Sequence, residues 1–244
     1  RFGEPLVSLS SNFIQRNKAQ IQKNIHSFSS EMRTELEFYA YDRRDYCNTI
    51  GQLVASIPSD KSIFLLGRYS FDDYYLSFMY QSIKEGDRFY YVIGGRKIEF
   101  LTVHKSKGLE ADYVILLQCN KDTYGFPSQV SDDPVLNYVL TKSDQFPYGE
   151  ERRLFYVAIT RAKIKTVVLY DKRFPSVFVD EFLHPEKVSE ESYVKHPNAN
   201  KRWTRGADQF LLKLHSEGKS IKFIAAKMGR SQTSIVMRLN KLKQ

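Results

Sequence analysis

The feature that most constrains the fold is an alternation of two periods over the first ~185 residues. "ELEFYAY" (35–41), "SIFLLG" (62–67), "RFYYVI" (88–93), "IEFLTV" (98–103), "DYVILL" (112–117) and "TVVLY" (166–170) are short runs rich in β-branched and aromatic residues. They read as strands. Helix-period segments lie among them at 12–31, 43–57, 71–85 and 149–163. Strand–helix alternation of this kind predicts βαβ units and a mostly parallel sheet covered by helices on both faces. In such folds ligand chemistry gathers at the carboxyl ends of strands.

Charge divides the chain a second way. Residues 197–244 hold eleven Lys/Arg and two acids, while the remaining residues carry 26 of each sign, so the whole net charge of +9 sits on the last fifth. A cationic block of this kind points to a polyanionic partner, most often nucleic acid. The stretch before it, "HPEKVSEESYVKHPNAN" (184–200), has little apolar content and reads as a linker. The basic segment itself reads as three short helices. Trp203, Phe210, Leu211 and Leu214 give one apolar face; Ile221, Ile224, Ala225 and Met228 a second; Ile235, Leu239 and Leu242 a third. Ser231 is placed to cap the last of them. The organisation expected is therefore a domain over 1–185, a linker over 186–200 and a three-helix unit of helix-turn-helix type over 201–244.

Composition narrows the class further. No apolar run approaches the ~18–20 residues of a membrane span, so no membrane partner is expected. Cys47 and Cys119 lie far apart and read as two reduced thiols of a cytoplasmic protein. The chain opens at Arg1 without a signal-peptide pattern, and the lack of an initiator Met points to a processed or excised chain. The tripeptide "GKS" at 218–220 mimics the end of a phosphate-binding loop. That motif needs a glycine at position 213, where Lys213 stands, and a preceding strand instead of a helix. No other Gly-Lys-Ser/Thr occurs.

Two stretches carry the chemistry. "TVHKSKGLE" (102–110) lies between two strand-like runs. Its lysines and glycine suit phosphates, and Glu110 suits ribose hydroxyls; a solvated charge cluster is the alternative reading. "EERRLFYVAITRAK" (150–163) places Leu154, Val157, Ala158 and Ala162 at helical spacing, with Arg161 near the expected helix end. An arginine there can reach a phosphoryl group and stabilise its charge.

Together these stretches resemble motifs V and VI of the UvrD/Rep-type superfamily 1 DNA helicases. "GFPS" (125–128) falls between them in the expected order. "FLLGRYSFDDY", "DQFP" and "PSVFV" resemble the helicase IV branch. The resemblance covers roughly residues 5–183 and implies the second RecA-like domain of a motor. It implies that Arg161 contacts the ATP γ-phosphate and that Gly108 and Glu110 lie near the nucleotide ribose. Arg16, in the weaker motif IV match "IQRNKAQI", becomes a second phosphate contact. Thr102, His104 and Ser106 become contacts to single-stranded DNA, and Arg68 a further DNA-side contact. The family often carries a large subdomain inserted between motifs IV and V; here about 85 residues separate Arg16 from Thr102, mostly accounted for by core strands and helices, so that insertion is expected to be absent or minimal.

The resemblance implies ATP with Mg²⁺ as cofactor, the metal ligands and phosphate cradle lying on an N-terminal RecA-like domain that this chain lacks. The chain is then the C-terminal half of a helicase, inactive alone. The basic segment resembles Myb-like or sigma-factor-like modules, implying that Arg230, Gln232, Thr233 and Arg238 face duplex DNA; protein docking is the alternative there. For the whole chain, the alternative is a non-catalytic DNA-binding adaptor on a relic RecA-like fold.

Overall fold

The computed structural model describes residues 3–17, 33–130, 146, 148–188 and 202–242. Strand β1 (Glu4–Pro5) leads into helix α1 (Leu6–Gln15), and β2 (Arg33–Tyr41) is followed by α2 (Tyr46–Ser56). Then come β3 (Ile63–Gly67), β4 (Gln81–Glu85), β5 (Arg88–Ile93), β6 (Arg96–Thr102) and β7 (Ala111–Leu116). Helix α3 (Gly149–Ile159), β8 (Ala162–Asp171) and α4 (Val177–Leu183) complete this part. The strands form one sheet in the order β1-β2-β8-β7-β3-β6-β5-β4. Pairing is parallel from β1 to β6 and antiparallel for β6-β5-β4.

The central strands explain why helices cover both faces. Successive side chains of a strand point to opposite faces. Leu66, Val114, Leu116 and Val168 enter one core with Phe13, Leu154, Phe155, Ala158 and Phe178. Leu65, Ile115, Leu117, Val167 and Leu169 enter another with Tyr46, Ile50 and Val54. Strands apolar at consecutive positions, as in "YVILL" (113–117), need that double covering.

The expected α/β architecture stands, with three corrections. The segment 71–85 is not a helix. It forms turns, one short 3₁₀ turn (Leu76–Phe78) and then β4, paired antiparallel to β5. The hairpin signal was "EGDR": Gly86 adopts φ +59° in the two-residue turn between β4 and β5, which favours tight pairing over a helix. Second, α1 spans Leu6–Gln15, earlier than the expected 12–31, of which 18–31 lie outside the described residues. Third, the helix expected over 149–163 stops at Ile159, and Ala162 opens β8.

Residues 202–242 form α5 (Arg205–Ser216), α6 (Ile221–Met228) and α7 (Gln232–Leu242) around a core of Leu211, Leu214, Ile224, Ala225, Met228, Ile235 and Leu239. The hydroxyls of Thr204, Ser220 and Ser231 accept from the Ala207, Phe223 and Ser234 amides and so start each helix. "GKS" is thus a turn and an N-cap. Phe210, expected in the core, is exposed. Among the described residues, no helix is long and apolar enough to cross a membrane. Both cysteines are free thiols.

Candidate functional site

Strands β3 and β6 end side by side, with Gly67 opposite Thr102 and the Val103 amide donating to the Gly67 carbonyl at 2.9 Å. Arg68 leaves this carboxyl edge. Its guanidinium donates three hydrogen bonds to Glu151 of α3, at 2.6–3.1 Å. Glu151 also accepts the Ser128 amide at 3.0 Å, and the Tyr69 and Ser128 hydroxyls meet at 2.6 Å. Strand end, helix and "GFPS" loop are thereby joined. Gly67 is required here because a Cβ would come within 2.8 Å of the Asp72 Cβ and 2.9 Å of the Tyr69 carbonyl. Asp72 is buried and accepts the Tyr69 amide. Burial pushes its carboxyl up to about 6.

Strand β7 runs parallel to β6 with β3 between them. Residues 103–110 must therefore return from the carboxyl edge to the amino edge. They do so in turns: the Ser106 amide donates to the Thr102 carbonyl, the Leu109 amide to the Ser106 carbonyl, and Gly108 takes φ +85°. That φ suits glycine and strains other residues.

His104, Lys105 and Lys107 are exposed at the start of this crossing. Partial burial, with Arg68 and Lys107 close by, holds the His104 imidazole below its usual range, so it is neutral at pH 7. Thr102 accepts the Lys105 amide. Ser106, expected to touch DNA, is fully buried, and its hydroxyl donates to the Val103 carbonyl at 2.8 Å. It holds the turn and does not face a ligand.

Helix α3 runs the same way, from Glu151 at the carboxyl edge to the amino edge, where the Ala111 amide donates to the Arg161 carbonyl. Arg161 is half-buried. Its Nε donates to the Val157 carbonyl at 2.9 Å and its Nη1 to the Leu109 carbonyl at 3.4 Å. Gly108, Glu110 and Arg161 are thus brought to one edge, while Thr102, His104 and Arg68 occupy the other.

Arg16 does not join Arg161. Its Nη1 lies 3.0 Å from Glu181 Oε2. Glu181, in α4, is buried and also receives the fully buried Arg152 through 2.7 and 2.5 Å bonds. Arg152 donates to the Phe13 carbonyl, with the Phe13 and Phe178 rings 4.4 and 5.0 Å from its guanidinium carbon. Arg152 belongs to the first turn of α3 and Arg161 follows its last. About 13 Å of helix axis separates them. Arg16, expected as a second phosphate contact, instead flanks a buried ion pair at the far end of the helix.

Sequence reading missed Glu151, Arg152 and Glu181. A signal was present. Glu151 stands three and four residues before Leu154 and Phe155, on the stripe that α3 buries. A charged residue on such a stripe demands a partner.

In the three-helix unit, Gln232 and Thr233 are exposed in the first turn of α7. Arg230 and Arg238 are not open to a ligand as expected. Arg230 is buried with its guanidinium 4.1 Å from the Trp203 ring. Arg238 pairs with Asp208 at 2.8 and 2.6 Å and lies 5.3 Å from the same ring. Both cations hold the helices together.

Residues 75–173, which span the crossing segment, α3 and Arg161, match the UvrD-like helicase C-terminal domain family. The chain is 28% identical over 180 residues to DNA helicase IV of Escherichia coli (strain K12), covering 74% of this chain and 25% of that protein. It is 35% identical over 95 residues to a probable DNA helicase II homolog of Mycoplasma capricolum, covering 39% of this chain and 12% of that protein. A solved structure, the C-terminal domain of a possible DNA helicase from Lactobacillus plantarum WCFS1, aligns with TM-score 0.38 and 12% identity over 70% of this chain and 86% of that one. The family match and the two relatives indicate a UvrD-like superfamily 1 helicase C-terminal portion. The chain spans about a quarter of the length of DNA helicase IV.

Proposed function

We propose that this chain is the second RecA-like domain of an ATP-dependent DNA helicase, followed by a DNA-binding helix-turn-helix unit. A first RecA-like domain, N-terminal in the same full-length protein, supplies the phosphate cradle and the Mg²⁺ ligands. Arg161 stabilises the charge that develops on the transferred phosphoryl group, and Gly108 and Glu110 lie against the ribose. A cation beside a carboxylate-bearing loop, at an edge where Arg161 is held by backbone carbonyls, fits a nucleotide presented from a facing domain. Thr102 and His104 contact single-stranded DNA, beside Arg68, whose bidentate pair with Glu151 fixes the edge. The chain alone hydrolyses nothing, because the arginine side of the cleft has no cradle.

One observation carries the reading: eight residues, 103–110, run from the His104 edge to the Arg161 edge across a rigid sheet. A shift imposed by nucleotide at one end is felt at the DNA contact at the other. The conformational element is short and is held to the fold by the buried Val103 and Ser106, a contiguous path of the kind that can couple two sites.

The basic unit is proposed to anchor DNA through its lysines, with Gln232 and Thr233 at the groove. Phosphate contacts then dominate and affinity falls steeply with salt. A titration of the chain against single- and double-stranded DNA, compared with a version ending near residue 198, tests this. Truncation is expected to remove most of the duplex affinity and most of the salt slope. Unchanged affinity and slope would reassign the unit to protein docking.

A further inference from the structure

We infer that Tyr69, Phe71, Tyr74, Phe78 and Tyr124 form a stacking platform for the bases of single-stranded DNA. The inference rests on the DNA-motor reading and deepens it, since Thr102 offers no ring and His104 a single small one.

The platform begins one residue beyond Arg68, where the chain leaves β3. Phe71 is 50% exposed, Tyr74 58%, Phe78 72% and Tyr124 55%. The Tyr69 and Phe71 rings stack at 4.9 Å with 6° between their planes. Tyr124 stands edge-on to both, at 5.7 and 5.4 Å, and Tyr74 edge-on to Phe78 at 5.0 Å. Water-facing rings in this number mark a surface that meets something.

The exposure is built in. Leu76 is fully buried beneath the segment, Asp72 grips the Tyr69 amide, and the Tyr80 hydroxyl donates to the Cys47 carbonyl at 2.8 Å. The rings are therefore held outward by an anchored loop, at little ordering cost on binding.

Charge selects the occupant. Both acids of the segment turn inward, Asp72 into burial and Asp73 onto the Tyr91 hydroxyl at 2.9 Å. At the rim the exposed Arg43 lies beside Tyr75, and the Arg68 guanidinium, which neutralises Glu151, lies 4.7 Å from the Tyr69 ring centre. Flat apolar faces bordered by cations suit a strand of stacked bases on an anionic backbone. The platform also adjoins the β3 and β6 ends that carry Arg68 and Thr102, so one strand can lie on both.

The test is binding of the full chain to an oligothymidylate and to an abasic oligonucleotide of equal length, which keeps phosphates and sugars but has no bases. Phe71→Ala, Tyr124→Ala and Phe78→Ala, the last at the most exposed of these rings, are compared with wild type, thermal unfolding confirming the fold of each. Each is expected to weaken oligothymidylate binding by about 5- to 150-fold. Abasic binding and the salt slope stay unchanged, and Phe71→Trp retains wild-type affinity. Equal losses on both oligonucleotides, or none on either, would overturn the platform and leave the motor reading standing. A wild-type chain that binds neither oligonucleotide would overturn both.

Discussion

Arg161→Ala in the complete protein is expected to lower DNA-stimulated ATP hydrolysis by about 10³–10⁵-fold while leaving DNA affinity near wild type. The magnitude is that of removing an arginine that meets the transferring phosphoryl group, or about 4–7 kcal/mol of transition-state stabilisation. The geometry argues for a specific effect. The Arg161 side chain donates to backbone carbonyls of α3 and of the 103–110 crossing and to the neighbouring Thr160 hydroxyl. Its carbonyl, which any residue would supply, pairs with Ala111. The variant is expected to keep its fold, which thermal unfolding checks. Arg161→Lys should recover little, because a point charge does not reproduce a planar fork. Steady-state hydrolysis at saturating single-stranded DNA measures it, and turnover within tenfold of wild type would sink the assigned role.

The second large effect is on stability. Glu181→Ala is expected to destabilise the chain by about 3–5 kcal/mol, because it strands the fully buried Arg152 guanidinium without its carboxylate. Against the 5–15 kcal/mol that holds an ordinary domain, such a loss leaves a marginal fold. Arg16, which touches the same carboxylate but is partly exposed, should matter far less: Arg16→Ala is expected to cost about 1 kcal/mol or less. Replacing Arg152 and Glu181 together by apolar residues of similar volume should recover much of the loss. Urea midpoints of the purified chain decide the matter, and a Glu181→Ala midpoint equal to that of wild type would contradict the buried pair.

How much of this was legible in the sequence follows from which interactions are local. The central strands were readable because their apolar runs are covered on both faces and need no partner to be recognised. Residues 81–85 were misread as helix because an exposed edge strand has only one neighbour, and "QSIKE" alternates too weakly to show its period. The site was readable as far as the motif resemblance reached. What it could not give is the direction of travel: nothing in "TVHKSKGLE" says that its two ends lie at opposite edges of the sheet. That follows from β3 being inserted between β6 and β7, a long-range pairing.

The same limit misplaced the cations. Arg16 read as a phosphate contact, Arg68 as a DNA-side contact, and Arg230 and Arg238 as residues facing duplex DNA. Their carboxylate and aromatic partners lie between 27 and 165 residues away in sequence for Arg16–Glu181, Arg68–Glu151, Arg230–Trp203 and Arg238–Asp208. A charge count cannot distinguish a cation that faces solvent from one that closes a fold.

The account's central claim is that residues 103–110 link a nucleotide edge to a DNA edge. The measurement that tests it most directly is ATP hydrolysis by the complete protein as a function of single-stranded DNA concentration, for wild type and His104→Ala. Loss of one hydrogen bond to a charged phosphate should weaken the DNA-stimulated component about tenfold. Hydrolysis without DNA should be unchanged, since Arg161 and Glu110 are untouched. A saturation curve identical to wild type, or an equal fall with and without DNA, would contradict the link.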